Sequence, residues 1–522
     1  MRNICLLLLG LWLSGTAYGQ SLPAPTLLFA DTASLTVQTT GDGEIQWKWG
    51  LDPDALLRHN STSGNLLQLT GLQPATVYYI QAIAVRQDDT LRAPVTPFIT
   101  SACSPGEMKV YFNFPVDASY SNGALPATTS ASDMEAQIID LILSATSTID
   151  VCMYNVDRDY YISALKQAAA NGVRVRYIAE GDRPNPSLQN TSLNFPVLYA
   201  VSNGIMHNKF LIIDKDLPDK ALVLTGSFNF TYSNLAKGYN NAITIRDQSL
   251  AEIYTMEFEE MWGGTGDQPN ATAAKFGSAK TDNTPHSLFI NGVPVEVYFS
   301  PSDQTTSHLV DAVQSADHDL RFALLAFTND DLENALLNQT VPIRGLIENQ
   351  YNGTITDQFQ AAGLAIYDYE EPNRFLHHKY LIVDAEATDS DPFVATGSHN
   401  WTYSAEHYND ENTLIIHDAD IANIYVQEFE ARWQTIVATA GPVADGGIRL
   451  YPNPASEILT VSNNLPAAQT VVLSDCLGRE WQRVIVPPGS SRTLNISHMP
   501  TGFYLLRTAD PKAGSMRWLI SR

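Results

Sequence analysis

A repeat with an interval of 171 residues, from Gly226 to Gly397, constrains this 522-residue chain more than any other feature. Gly226-Ser-Phe-Asn-Phe-Thr-Tyr-Ser233 returns as Gly397-Ser-His-Asn-Trp-Thr-Tyr-Ser404. The same interval pairs Tyr254 with Tyr425, Glu257-Phe258 with Glu428-Phe429 and Trp262 with Trp433. Upstream it pairs Ser144-Ala145 with Ser315-Ala316 and Ala164-Leu165 with Ala335-Leu336. A chain of this length is too long for one core, and a repeat this extended means two copies of one structural unit. Val110-Tyr-Phe112 and Val297-Tyr-Phe299 open the two copies.

Each copy alternates helix and strand. Met134, Ile138, Leu141 and Ile142 fall on one helical face, whereas 149–154 and 320–325 read as buried strands and 173–178 as the strand after the next helix. Strands alternating with helices predict layered α/β halves. Trp262, Trp433, Phe258 and Phe429 recur at matched helical positions, which is the pattern of core aromatics. Arg174 and Arg176 read as solvated or salt-bridged.

Each copy also carries one H-x-K-x4-D motif: His207, Lys209 and Asp214 in the first, His377, Lys379 and Asp384 in the second. Alternate residues of a strand share a face, so each His–Lys pair points one way. A G-S-x-N tetrad follows each motif, supplying Ser227 and Asn229, then Ser398 and Asn400. If the halves pack about a pseudo-twofold axis, two His–Lys pairs meet around one phosphate. Lysines and asparagines would hold the non-bridging oxygens. One imidazole would attack phosphorus and the other would protonate the leaving alcohol. No cluster has metal-ligand spacing, and neither metal nor cofactor is expected. His378 and His399 sit at the variable positions and are expected at the rim, with His399 the better placed to touch substrate.

The net charge is −25. Residues 107–433 contain 18 Lys+Arg and 44 Asp+Glu, a balance of −26. Such a surface disfavours a long polyanion and tilts the expected substrate toward lipid or small diesters. Residues 1–20, with Arg2 and the apolar run 6–13, read as a signal peptide, and no other stretch reaches the ~20 apolar residues of a spanning helix. Cys103, Cys152 and Cys476 are too few and too scattered for a disulfide framework.

The paired motifs resemble those of the phospholipase D superfamily, over roughly residues 107–433. The resemblance implies that both histidines, both lysines and the Ser and Asn of each tetrad line the site. It places Asp214 and Asp384 outside it as structural supports. It also implies a carboxylate thirteen residues after each tetrad serine, bonded to the nearby histidine. Glu411 stands there in the second half, but Asn240 in the first. Paired within halves, Glu411 would keep His377 protonated as the acid, and Asn240 would leave His207 neutral as the nucleophile.

Two flanking β domains complete the expected plan. Leu72-Gln-Pro-Ala-Thr-Val-Tyr78 within residues 22–101 resembles the fibronectin type III signature, with Tyr78 as corner tyrosine and Trp47 in the core. Tyr451-Pro-Asn-Pro-Ala-Ser456 and Gly502-Phe-Tyr-Leu505, within 448–522, resemble the sorting domain of cargo for the type IX secretion system of Bacteroidota. The halves are expected at 107–265 and 293–436, with linkers at 266–292 and 437–447. These features together imply a secreted, monomeric phosphodiesterase with a phospholipid substrate, the type IX machinery as partner and no membrane span in the mature chain. The competing expectations are an extracellular nuclease and an inert core that leaves binding to the flanking domains.

Overall fold

The computed structural model describes residues 21–439 and 448–520, apart from 42–43, 63, 87–88, 124–125, 350–353, 452–454, 456, 464, 476–478, 501 and 509–514. The expected signal peptide, Cys476 and most of Tyr451–Ser456 lie outside the described residues.

One compact unit comprises the described residues of 21–103 together with 283–292. Its sheets run Thr26–Ala30, Ser34–Gln38, Leu66–Thr70 and Arg58–Thr62, Glu44–Gly50, Val77–Val85, Thr90–Arg92, with Thr96–Ile99 also pairing on Val77–Val85. Strict alternation along Glu44–Gly50 buries Ile45, Trp47 and Trp49 on the inner face. Tyr78 Oη accepts from Gln73 N at 2.9 Å, the corner contact expected of that tyrosine. Residues 283–292, read from sequence as linker, join this unit: Ser101 Oγ donates to Phe289 O at 2.9 Å, and Phe289 packs on the core.

The second unit holds both repeat copies and the C-terminal domain. The first copy forms a seven-stranded sheet in the order Val197–Ala200, Arg174–Glu180, Thr148–Met153, Lys209–Ile213, Leu222–Gly226, Asn241–Arg246, Glu107–Phe112. The second copy repeats that order with Ala365–Tyr369, Ile343–Glu348, Leu320–Leu324, Lys379–Val383, Phe393–Gly397, Glu411–Ile416 and Val293–Ser300. In each, the motif strand lies at the centre, antiparallel to both neighbours.

Helices cover the sheets as the periodicity predicts. Ala131–Ser144 starts at Ser130, whose side chain caps Asp133 N, and it buries Met134, Ile138 and Ile142 on one stripe. Trp262 and Phe258 are buried, as are Trp433 and Phe429. Arg176 lies over the first pair and Arg344 over the second. Arg174 and Arg176 both bond Asp150, so the salt-bridged reading of these arginines is the correct one.

The motif aspartates end their strands in left-handed backbone, with φ 51° at Asp214 and 50° at Asp384. Asp214 accepts from the amides of Thr146, Ser147 and Thr148; Asp384 accepts from those of Asp317, His318 and Asp319. Each therefore ties a helix-to-strand turn to the motif strand. Burial opposes the charge of Asp384, but Ser390 Oγ and those amides hold its carboxyl below the usual range.

Residues 266–282, also expected as linker, deliver a buried cation to the core. Lys280 Nζ lies 2.5 Å from Glu257 Oε1 and 3.6 Å from Asp410 Oδ1. Burial works against its charge, yet the two carboxylates hold the ammonium above its ordinary range. Replacing Lys280 by Met strands two buried carboxylates, and we expect a loss of about 3–5 kcal/mol. Thermal unfolding of the full chain measures it, and an unchanged melting temperature would contradict the expectation.

The C-terminal domain has two sheets, Ile448–Tyr451, Ile458–Asn463, Ser490–Asn495 and Glu480–Val486, Gln469–Asp475, Gly502–Thr508, Ser515–Ile520, around a core that includes Tyr504 and Trp518. Among the described residues no helix is long and apolar enough to cross a membrane. Cys103 is exposed and Cys152 buried; burial pushes the Cys152 thiol well up, so it is an inert core residue.

Candidate active site between the two halves

The two motif strands present their histidines to each other's half. His207 N donates to Asp410 O at 2.9 Å, and His377 N donates to Tyr239 O at 3.0 Å. Tyr239 and Asp410 are repeat partners, so the exchange is reciprocal, as a pseudo-twofold axis requires.

The same exchange governs the imidazole partners and corrects the sequence-based pairing. His207 Nδ1 bonds Glu411 Oε2 at 2.8 Å, and His377 Nδ1 bonds Asn240 Oδ1 at 2.8 Å. Each histidine is thus held by the residue from the opposite half, not from its own. The position thirteen residues after the serine opens a strand at the boundary between halves, and chain proximity is a poor guide there.

The Asn240 amide has one orientation. Its Nδ2 donates to Asn234 O and Gly238 O, both at 3.0 Å, so Oδ1 faces Ser227 Oγ and His377 Nδ1. His377 must therefore carry its proton on Nδ1, and Nε2 keeps its lone pair. Asn409 Nδ2 holds the other oxygen of Glu411 at 3.1 Å, leaving Oε2 for His207. Burial, with Lys209 and Lys379, pushes both imidazoles well below their ordinary range; His377 also senses His207.

Both lysines are buried. Lys209 Nζ donates to His207 O at 2.6 Å and Lys379 Nζ to His377 O at 2.9 Å. Burial lowers Lys209 well below its usual range and brings Lys379 down to about 7. A phosphate anion in their midst would restore their charge.

The tetrads divide their labour differently from the expectation. Ser227 Oγ donates to Asn240 and accepts from Asn241 N; Ser398 Oγ accepts from Asn412 N and Nδ2. Both serines are fully buried; Ser227 supports the imidazole partner Asn240, whereas Ser398 anchors Asn412, the neighbour of Glu411. Asn229 and Asn400 each retain a buried Oδ1 without a partner among the described residues. Such amides can turn donors toward an anion. The tetrad glycines permit the turn: a Cβ on Gly226 would stand 2.4 Å from Asn241 O, and one on Gly397 2.2 Å from Asn412 O.

His378 is a core residue, not a rim residue. It lies on the opposite face of its strand, where Asn241 Nδ2 meets its Nδ1 at 3.1 Å and Glu428 Oε1 stands 3.0 Å from Nε2. Its counterpart Asn208 accepts from Asn412 Nδ2 at 2.9 Å. His399 is likewise buried, at 3 % exposure. Sequence reasoning missed Asn241 and Asn412, although the same repeat interval relates them. It also missed Tyr154, whose ring lies edge-on to His207 at 4.8 Å with Lys209 Nζ 5.2 Å from its centroid. Phe375 stands similarly against His377 at 5.7 Å. In the second half the position of Tyr154 is Leu325.

The two halves and the C-terminal domain each resemble known proteins. A family model described as "Cardiolipin synthase, PLD-like domain" matches residues 138–262 and 309–433, and one described as "Secretion system C-terminal sorting domain" matches 449–521. The "Mitochondrial cardiolipin hydrolase" of Xenopus tropicalis is 32% identical over 139 residues, 26% of this chain and 63% of that protein. A "Phospholipase D" of Rickettsia prowazekii is 34% identical over 128 residues, 22% of this chain and 57% of that protein. The chain thus spans about three fifths of these relatives. A phosphatidylserine synthase of Haemophilus influenzae aligns in structure at 14% identity and TM-score 0.44, over 63% of this chain and 86% of that one. The sorting domain indicates export by type IX secretion, to the cell surface or beyond. With two matched domains meeting through reciprocal histidine contacts, this chain carries a tandem pair of phospholipase D-like domains.

Proposed function

We propose that the chain is an exported phosphodiesterase that hydrolyses phospholipid head-group diesters through a phosphohistidine. The observation that carries this reading is the crossed arrangement of His207–Glu411 and His377–Asn240, with both lysines buried beside them. His207 Nε2 attacks phosphorus. Its ring becomes cationic as the P–N bond forms, and Glu411 stabilises that charge through Nδ1–H. His377 has only an amide behind it. Once the bound anion has drawn a proton onto its Nε2, it gives that proton up readily to the departing alkoxide. It then takes a proton from the water that breaks the P–N bond, returning His207. Lys209, Lys379, Asn229 and Asn400 hold the non-bridging oxygens.

The roles match those expected from sequence, but the physical reason is reversed: the carboxylate supports the nucleophile, not the acid. The −26 balance of residues 107–433 favours a lipid or small diester over a long polyanion. Purified protein given phosphatidylcholine vesicles, cardiolipin vesicles and plasmid DNA in parallel, with and without EDTA, tests the substrate. Release of phosphatidate is expected, and cleavage of plasmid alone would overturn the lipid reading.

A pH prediction follows from Lys379. Its ammonium form is present below about 7 and lost above it. We expect kcat/KM on a soluble diester to fall as pH rises through that value. A flat profile to pH 9 would contradict this role.

A further inference from the structure

His399 is a buried imidazole that the hydrolytic scheme does not use, and neither of its ring nitrogens has a hydrogen-bond partner among the described residues. Leaving such a group unsatisfied is costly. Two features flank it. On one side lies a cavity of about 10 Å³, lined by Lys379, Thr396, Thr413 and His399 with Leu309 and Trp401. That is about the room one water needs. On the other side Glu406 Oε2 stands 3.7 Å from His399 Nε2. Glu406 also lines a groove of about 1050 Å³ on the second half, with Thr306, Tyr403, His407, Asp330 and Asp331.

We propose that Glu406 and His399 form a proton path between Lys379 and this groove, through which the buried site exchanges protons with solvent. The need for one follows from the phosphodiesterase reading, on which this inference rests. Anion binding charges Lys379 and product departure discharges it, so each turnover draws a proton into a buried pocket and lets it out again. On anion binding, the Glu406 carboxyl passes its proton to His399 Nε2. The second ring nitrogen releases a proton to a water in the small cavity, and that water protonates the Nζ lone pair of Lys379. Product departure reverses each transfer.

The other half lacks the path. At the repeat positions of His399 and Glu406 stand Phe228 and Leu235, both buried in an apolar core. Phe228 packs there against Tyr161 and Phe230, with centroids 6.4 and 6.2 Å away. The fold therefore accepts apolar side chains at both positions, and the second half departs from its twin at two linked sites. The charged groups facing His399 are Lys379, Glu411 and Glu406 from the same half and His207 from the other; His308 and His407 face Glu406. Burial brings His399 down to about 4, against the pull of Glu411, so it carries a proton only transiently. His399 acts through Lys379 and does not touch substrate.

The test compares the full chain with His399→Phe, His399→Gln and Glu406→Leu on bis(4-nitrophenyl) phosphate, at dilute and at high imidazole buffer. We expect His399→Phe to lower kcat about tenfold in dilute buffer, less than losing a group that moves a proton in the transition state itself. KM should hold, and added imidazole should restore turnover. Gln, which packs and hydrogen-bonds but does not titrate, should be as slow as Phe, and Glu406→Leu should also be buffer-dependent. Wild-type turnover by His399→Gln, or a loss that buffer does not relieve, would overturn the path. If His399→Phe does not fold, Glu406→Leu and His399→Gln decide it. No hydrolysis by the unmodified chain is a separate result, which sinks the diesterase reading and the path with it.

Discussion

His207→Ala should abolish turnover of every diester, by at least about 10⁴-fold, because it removes the nucleophile that forms the covalent intermediate. His377→Ala should behave differently, and the difference identifies the roles. An ester of 4-nitrophenol needs little help from an acid to depart. The variant should therefore release one equivalent of 4-nitrophenol per enzyme and then stall, since no base activates water. Phosphate should remain on the protein and map to His207 by mass spectrometry after an alkaline quench. A poor leaving group such as choline should give no burst. A burst in His207→Ala, with phosphate on His377, would exchange the two roles.

The two-half architecture was legible because a repeat interval survives in the residues that pack and bind. Tetrads and helix tryptophans occupy the positions that interval predicts, the motif histidines fall one residue short of it, and the strands of the first sheet recur in the same order in the second. Asp214 and Asp384, expected as supports of the motif, bond the amides of the turns that precede the neighbouring strands. The imidazole partners were not legible, because a sequence shows who is near along the chain and the pseudo-twofold axis brings together residues 204 and 137 positions apart. Asn240 is thirteen residues from Ser227, yet its oxygen bonds both Ser227 and the other half's His377. His378 was misplaced for a related reason. Its side chain faces away from His377 and Lys379 on the same strand, and that face meets the other half instead of solvent. Residues 266–292 read as linker from their Gly, Asn, Thr and Asp content. Composition cannot reveal that one lysine among them reaches a pair of buried carboxylates.

Glu411→Gln should reduce kcat about 10²–10⁴-fold while leaving the fold intact, the scale seen when an imidazole loses a carboxylate but keeps its shape. The neutral amide still fits between Asn409 and His207, but it cannot stabilise the charge that forms on the ring. It also permits the wrong tautomer, with the proton on Nε2. Asn240→Asp acts in the opposite sense on the other histidine. A carboxylate behind His377 raises its proton affinity, making it a weaker acid, so esters with poor leaving groups should slow more than 4-nitrophenyl esters. The double variant Glu411→Gln, Asn240→Glu mirrors the site about its pseudo-twofold axis. If partner charge assigns the roles, a symmetric diester should now leave its phosphate on His377. Phosphate still on His207 would mean that the asymmetry of the surroundings, Tyr154 against Leu325, outweighs the pairing. Either location measures how much of the nucleophile's identity resides in one carboxylate held 2.8 Å from Nδ1.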